Sequence, residues 1–330
     1  MKAAYITQPG PPESIIYGDL PTSRPGPKQC LVRIGAVSVN PVDTYIRSGA
    51  VPMPLPSPFV VGCDLAGTVV QIGEEVTDFR PGDRVWGSNQ GLLGRQGTFS
   101  ESVVVDECWL YTTPKNVSDE AAAAAALVGI TAHLGLVRDA QLEKGETVFV
   151  NGGSGAVGAM VIQMAKALGA RVGVATGSEE KVEFCLKLGA DFAVNYAKVD
   201  PQLALKKMVP GGVNVWWETS REPDFDRAVN SLAARGRMIV MAGREARPPF
   251  PVGPFYVKGC SLHGFVMFSA KADEQLDAAD NLNRWLAEGR IKPPIDRVMP
   301  LAETAAAHRL QEENTLGHRG ALRGKLVLKP

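Results

Sequence analysis

No run of about 18 apolar residues occurs in this chain of 330 residues, so a helical membrane span is not expected. The N-terminus, Met1-Lys2-Ala3-Ala4-Tyr5-Ile6-Thr7, lacks the apolar core of a signal peptide and reads as a first strand. The five cysteines (Cys30, Cys63, Cys108, Cys185, Cys260) are odd in number, scattered, and contain no C-x-x-C pair. Neither a disulfide framework nor a zinc knuckle is therefore expected, and a reducing, cytoplasmic setting follows as the default. No sign of charge dominates: 35 Lys and Arg offset 35 Asp and Glu, which argues against general affinity for nucleic acid or a membrane surface. Histidine is scarce, and the four present (His133, His263, His308, His318) form no catalytic constellation. His133 is expected simply to pack within its helix.

Glycine is plentiful. Its most informative use is the run Thr147-Val148-Phe149-Val150-Asn151-Gly152-Gly153-Ser154-Gly155-Ala156-Val157-Gly158. An apolar, β-rich segment feeds a glycine turn and then a helix over Ala159–Leu168, with Gly169 placed as its C′ residue. The spacing G-x-G-x-x-G through Gly153, Gly155 and Gly158 brings a dinucleotide pyrophosphate onto backbone N–H groups at a helix N-terminus. Gly153 is assigned to the tight turn, Gly155 to close approach of phosphate, and Gly158 to close packing of helix on strand. A bare glycine spacing is weak evidence; the flanking strand and helix give it force.

The choice of dinucleotide is written at the end of the next strand. An NAD site places an acid there to accept from the ribose 2′-OH. Here the strand ends in Thr176-Gly177-Ser178, and Glu179 and Glu180 fall in the first helical turn that follows, where anions are favoured. Ser178 and Lys181 can together grip a 2′-phosphate, which predicts NADPH. The plainer reading of Lys181 is a solvated surface lysine.

Length alone suggests about two domains. The first ~120 residues read as β-structure with many breakers: strands at Cys30–Val39, Leu65–Ile72, Arg84–Trp86 and Phe99–Val105, punctuated by Pro25-Gly26-Pro27, Pro52 to Pro58 and Pro81-Gly82-Asp83. Ser118-Asp119-Glu120 caps a helix through the alanines 121–126. Strand and helix then alternate. Strands are expected at Val148–Asn151, Arg171–Ala175, Phe192–Asn195, Val213–Trp217, Met238–Ala242 and Leu262–Phe268, with a helix over Glu179–Leu188. Such alternation means a doubly wound parallel sheet, an α/β fold. A charged helix over Lys271–Glu288 and a short strand at Leu326–Leu328 close the chain.

The segment Val39-Asn40-Pro41-Val42-Asp43-Thr44-Tyr45-Ile46-Arg47-Ser48-Gly49 resembles the signature of zeta-crystallin-like quinone oxidoreductases, in the medium-chain dehydrogenase/reductase superfamily. Gly62-Cys63-Asp64-Leu65-Ala66-Gly67-Thr68-Val69-Val70, Pro81-Gly82-Asp83-Arg84-Val85, Gly129-Ile130-Thr131-Ala132 and the Asn151–Gly158 loop follow in that family's order, to the ending Gly324-Lys325-Leu326-Val327-Leu328. The resemblance implies a GroES-like β-barrel catalytic domain from residues 1–124 and 268–330, and a Rossmann NADPH-binding domain at 125–267. It implies that Gly177, Lys181 and Tyr196 hold the adenosine 2′-phosphate, joined by a C-terminal arginine, Arg319 or Arg323. It places Asn40 and Thr131 beside the nicotinamide, with Gly243 and the Phe265–Phe268 strand, including Met267, as its wall. It also implies a homodimer formed near Leu262–Phe268.

Zinc-dependent relatives carry Cys where this chain has Asn40, His-Glu where it has Cys63-Asp64, and a later Cys near Leu127. A catalytic zinc needs about three protein ligands, so no metal is expected, and Cys63 reads as a small buried residue. Direct hydride transfer to a quinone or an α,β-unsaturated carbonyl then suits the site, with the Asn40 amide and Tyr45 hydroxyl as candidate donors to the developing oxyanion. Each has a plain alternative: Asn40 as a turn former before Pro41, Tyr45 as a cover for the core. Asp43 and Arg47 read as a local i,i+4 pair. Many relatives carry Tyr two residues after the glycine matching Gly49, where this chain has Val51, which counts against the rival reading as a 2-enoyl-thioester reductase. The apolar loop Ala50–Pro56 is a candidate pocket wall with Phe265, Met267 and Phe268. A non-catalytic NADPH- and RNA-binding protein is the alternative from another class; the lack of a basic and aromatic stripe argues against it.

Overall fold

Period-two burial organises the first unit. In the strand Gln29–Ser38, Cys30, Val32, Ile34 and Ala36 turn inward. This strand pairs antiparallel with Leu65–Ile72 and with Ser102–Asp106, and its last residues pair with the C-terminal strand Lys325–Lys329 through Val327↔Ser38. Arg84–Gly87, Leu110–Thr112 and Ile295–Pro300 complete this seven-stranded sheet. The computed structural model describes residues 1–317 and 322–330. It divides into two units, Met1–Val128 with Lys271–Pro330, and Gly129–Ala270. Both chain ends therefore build the antiparallel, GroES-like unit.

The second unit holds six parallel strands in the order Phe192–Asn195, Arg171–Thr176, Thr147–Asn151, Val213–Glu218, Leu232–Val240, Ser261–Gly264. The chain winds outward from Thr147–Asn151 in one direction, returns, and winds outward in the other. That reversal makes a switch point at the C-terminal ends of Thr147–Asn151 and Val213–Glu218, where open α/β sheets bind ligands. Phe149, Phe192, Trp216, Val229 and Met238 form its core, with the Phe149 and Trp216 rings 4.9 Å apart. This is the Rossmann architecture expected.

Three local expectations change. The last strand covers Ser261–Gly264 only, and Met267–Ser269 is a 3₁₀ turn. The partner strand ends at Val240, opposite Gly264, so no ladder remains to extend it. Asp43 and Arg47 do not pair. Asp43 accepts from the Asn40 backbone N–H at 2.7 Å, while Arg47, fully buried, donates to Gly10 O at 2.8 Å and bonds Glu312 on the helix Thr304–Thr315. Finally, one helical stretch, Asp119–Asp139, is long and apolar enough to cross a membrane by length and composition, but 83% of its apolar window is buried inside the protein. It is a core helix built on alanine.

His308 gives a stability prediction. The ring is fully buried, edge-on to Phe99 at 6.0 Å, and neither nitrogen has a hydrogen-bond partner among the described residues. Burial, helped by Arg47, pulls its pKa from 6.5 to about 3. The unfolded chain takes up a proton below 6.5 and the native chain does not, so stability is lost as pH falls from 6.5 toward 3. His308→Leu is expected to stabilise by about 1–2 kcal/mol at pH 7. Thermal melts should show a larger gain at pH 5 than at pH 7; a gain independent of pH would contradict the assignment.

Candidate cofactor cradle and active site

The glycine loop closes the strand Thr147–Asn151 and opens the helix Ala156–Ala167. Gly152, not Gly153, takes the left-handed conformation, at φ 90°. Gly153 is held by packing: a Cβ there would lie 2.3 Å from Val174 Cγ1 on the next strand. Gly155 is the residue preceding the helix, and a Cβ on it would meet only Gly152 O, at an ordinary 3.6 Å. Space is thus open where a phosphate must approach. Gly158 lies against the turn, its missing Cβ 2.7 Å from Gly152 O and Gly153 Cα. Ser154, Ala156 and Val157 complete the rim at the helix N-terminus, whose dipole and free N–H groups favour an anion.

Behind the loop sits a carboxylate the motif does not announce. Glu218, buried at the end of its strand, accepts from Asn151 Nδ2 at 2.8 Å, Ser220 N at 2.7 Å and Trp216 Nε1 at 3.0 Å. It ties the two strands of the switch point together. Thr219 Oγ1 donates to Asn151 O at 2.6 Å and fills the place of a Gly152 Cβ.

The adjoining strand ends carry the residues expected on the adenosine side. Ser178 caps the helix Glu179–Lys187, its Oγ accepting from the Lys181 N–H at 3.3 Å. Tyr196 follows the strand Phe192–Asn195, and its hydroxyl comes within 2.6 Å of the position of a Gly177 Cβ. A side chain at 177 would push the phenol aside. Glu179, the nearest acid, is turned to Asn195 Nδ2 at 2.7 Å and Lys198 Nζ at 3.0 Å. The structure therefore gathers Gly177, Ser178, Lys181 and Tyr196 on one crest and engages the nearest acid elsewhere. This donor set fits a ribose bearing a phosphate.

Gly243, at φ 80°, packs under Arg221 O on the neighbouring loop, 2.7 Å from the position of its Cβ. Thr131 is buried in the helix Asp119–His133. Phe265 lies under the Arg138 guanidinium at 5.3 Å, and Met267 is buried at 3% exposure. Met267 is thus core, not an open wall. Arg323 belongs to the other unit and binds Asp296 Oδ1 through its backbone N–H at 2.9 Å. Arg319 and His318 lie outside the described residues.

In the GroES-like unit, Asn40 is the residue before the helix Pro41–Ser48, which carries Tyr45 and ends at Gly49 in a left-handed turn. Asn40 is fully buried. Its Nδ2 donates to Asp64 Oδ2 at 2.7 Å and to Ser38 O at 3.3 Å, and its Oδ1 accepts from Lys325 Nζ. Both amide hydrogens are spent inside the protein. That corrects the expectation of Asn40 as a donor to an oxyanion: its amide is taken up by Asp64, Ser38 and Lys325. Tyr45 is half-buried in the second half of the helix Pro41–Ser48. Within its own unit, the apolar loop brings Met53, Leu55 and Pro56 to a cavity of about 210 Å³ that Ile6–Pro9 also line.

The residues where a zinc ion would sit do not fit one. Cys63 is buried, and burial, with Asp43 beside it, pushes the thiol well above its ordinary range. Asp43 itself is raised to about 7, mainly by burial. Asp64 is saturated by Ser38 Oγ at 2.8 Å, Ser88 Oγ at 2.7 Å, the Leu127 N–H at 3.1 Å and Asn40. The cation present is the ammonium of Lys325, 3.6 Å from Asp64 Oδ2.

Comparison with known proteins agrees with this division. Residues 26–115 match the alcohol dehydrogenase GroES-like domain and residues 156–284 the zinc-binding dehydrogenase family. The quinone oxidoreductase of Sus scrofa is 32% identical over 99% of this chain and 97% of its own. The chloroplastic NADPH-dependent alkenal/one oxidoreductase of Arabidopsis thaliana is 32% identical over 92% of this chain and 72% of its own. The crystal structure of Escherichia coli quinone oxidoreductase complexed with NADPH superposes with a TM-score of 0.86 at 27% identity, covering all of both chains. With the glycine cradle, the GroES-like unit and full-length similarity in agreement, the chain belongs to the quinone oxidoreductases of the medium-chain dehydrogenase/reductase superfamily.

Proposed function

We propose that this protein is a zinc-free, NADPH-dependent reductase of quinones and α,β-unsaturated carbonyls. The observation that carries the reading is the crest at Gly177, Ser178, Lys181 and Tyr196, where a lysine and a phenol stand and the nearest acid is tied elsewhere. The relatives named for quinone and alkenal reduction support the acceptor class. When bound, NADPH supplies the hydride. The glycine loop holds its pyrophosphate on backbone N–H groups, and Lys181, Ser178 and Tyr196 bind the 2′-phosphate. Hydride addition to a quinone or enone leaves negative charge on oxygen, and that oxygen needs a donor. Tyr45 is the side chain we assign to it, with water completing protonation.

A panel of ortho-quinones, 2-alkenals and crotonyl thioesters, assayed with NADPH and NADH side by side, tests this. Quinones and alkenals are expected to turn over with NADPH; a clear preference for the thioester would overturn the choice of acceptor. Tyr45→Phe is expected to lower kcat about a hundredfold with NADPH affinity unchanged. Unaltered turnover would return Tyr45 to a packing role.

We further propose a cytoplasmic homodimer. Five free cysteines suit a reducing compartment. Among the described residues, the outer strand Ser261–Gly264 has one edge without a partner strand, and Leu262 and Val266 are 42% and 53% exposed. Pairing of that edge with its copy removes an exposed sheet edge. Sedimentation analysis at micromolar concentration checks it.

A further inference from the structure

Lys325 is the buried charge for which the reaction as proposed has no use. It is 3% exposed, on the first residue of the C-terminal strand, and its carbon chain runs inward from a surface segment. The pairing Val327↔Ser38 and the bond from the Val39 N–H to Leu326 O, 2.9 Å, bring that strand beside the residues leading to Asn40. The ammonium then meets Asn40 Oδ1 and stands 3.6 Å from Asp64 Oδ2. Asp64 makes four other contacts, all from neutral donors: two hydroxyls, one amide and one backbone N–H. Asp43 is a second carboxylate acting on the amine, and the Cys63 thiol also lies within range.

We propose that Lys325 is a tethered counter-ion to the buried Asp64 and acts as a positioning residue for Asn40 and the helix it caps. Three links support this. Asn40 can turn its amide two ways; Lys325, having only donors, fixes Oδ1 toward itself and Nδ2 toward Asp64. With that orientation set, the Asn40 backbone N–H faces Asp43 Oδ2 at 2.7 Å and closes the first turn of Pro41–Ser48. Tyr45 sits one turn further along the same helix. The catalytic consequence rests on the reading of Tyr45 given above; the charge relation between Lys325 and Asp64 does not.

The test uses Lys325→Ala and Lys325→Met in the full chain. Lys325→Ala is expected to reduce kcat for a quinone at least about tenfold, with the NADPH dissociation constant, read by fluorescence titration, unchanged. Propylammonium added to the Ala variant is expected to restore part of kcat, and propan-1-ol of similar shape to restore none. Wild-type kcat, or equal rescue by the alcohol, would overturn the proposal. A second reading needs no turnover. Lys325→Met is expected to lower Tm by at least about 10 °C, because Asp64 is left buried without its cation. Adding Asp64→Asn to Lys325→Met is expected to recover most of that loss. A double variant no more stable than Lys325→Met alone would refute the cation role. Absence of activity toward every acceptor, with the melting pattern intact, would count against the proposed reaction and leave the cation in place.

Discussion

Replacing Lys181 with alanine is expected to weaken NADPH binding by about 10- to 100-fold and to leave NADH binding nearly unchanged. A hydrogen bond to a charged group contributes about 1.5–3 kcal/mol, and each 1.4 kcal/mol is about tenfold in affinity. The penalty falls on NADPH alone because only it carries the 2′-phosphate. The surroundings of Lys181 make the selectivity sharp. Ser178 pins the start of its helix, Gly177 leaves room for the Tyr196 hydroxyl, and Glu179 is held by Asn195 and Lys198. Calorimetric titration with both nucleotides separates the cases. Equal weakening of both would remove Lys181 from the phosphate site.

A second large effect is expected at Gly158. An alanine there brings a Cβ 2.7 Å from Gly152 O and Gly153 Cα, so either the helix Ala156–Ala167 or the turn must move. Overpacking of this kind costs about 1–3 kcal/mol. Gly158→Ala should therefore lower Tm and weaken both nucleotides, by about 10- to 100-fold. Gly155→Ala is the informative contrast. Its Cβ meets only Gly152 O at 3.6 Å, so the fold should keep its melting temperature while nucleotide affinity falls. A Gly155→Ala variant with full affinity would mean that the phosphate does not approach this residue.

The cofactor unit is the more legible half of the molecule because its signals are local. Strand, glycine turn and helix are consecutive over Thr147–Ala167, and the crest we assign to the 2′-phosphate sits at the ends of two adjacent strands. Small errors there have simple causes. The positive φ falls on Gly152, one residue before the motif begins, because the turn starts where the strand leaves the sheet. Met267 is buried because its segment turns inward once the neighbouring strand ends at Val240.

The GroES-like unit is less legible because its polar cluster is assembled from distant chain. Asn40 and Lys325 are separated by 285 residues and meet only when the last strand joins Gln29–Ser38. Arg47 finds Glu312 across 265 residues, although an i,i+4 partner of the right sign stands at Asp43. Asp43 is withdrawn from that pair by the Asn40 backbone N–H. A lysine opening the apolar run Leu326–Leu328 was the available signal, and one residue of that kind carries no spacing to interpret.

Incubation with NADPH deuterated at both C4 positions and an α,β-unsaturated ketone in ordinary water tests the account most directly. The product is expected to carry one deuterium on the β-carbon and a solvent hydrogen on the α-carbon, read by mass spectrometry and NMR. Product formed without deuterium at the β-carbon, or no reduction of any enone or quinone, would contradict it.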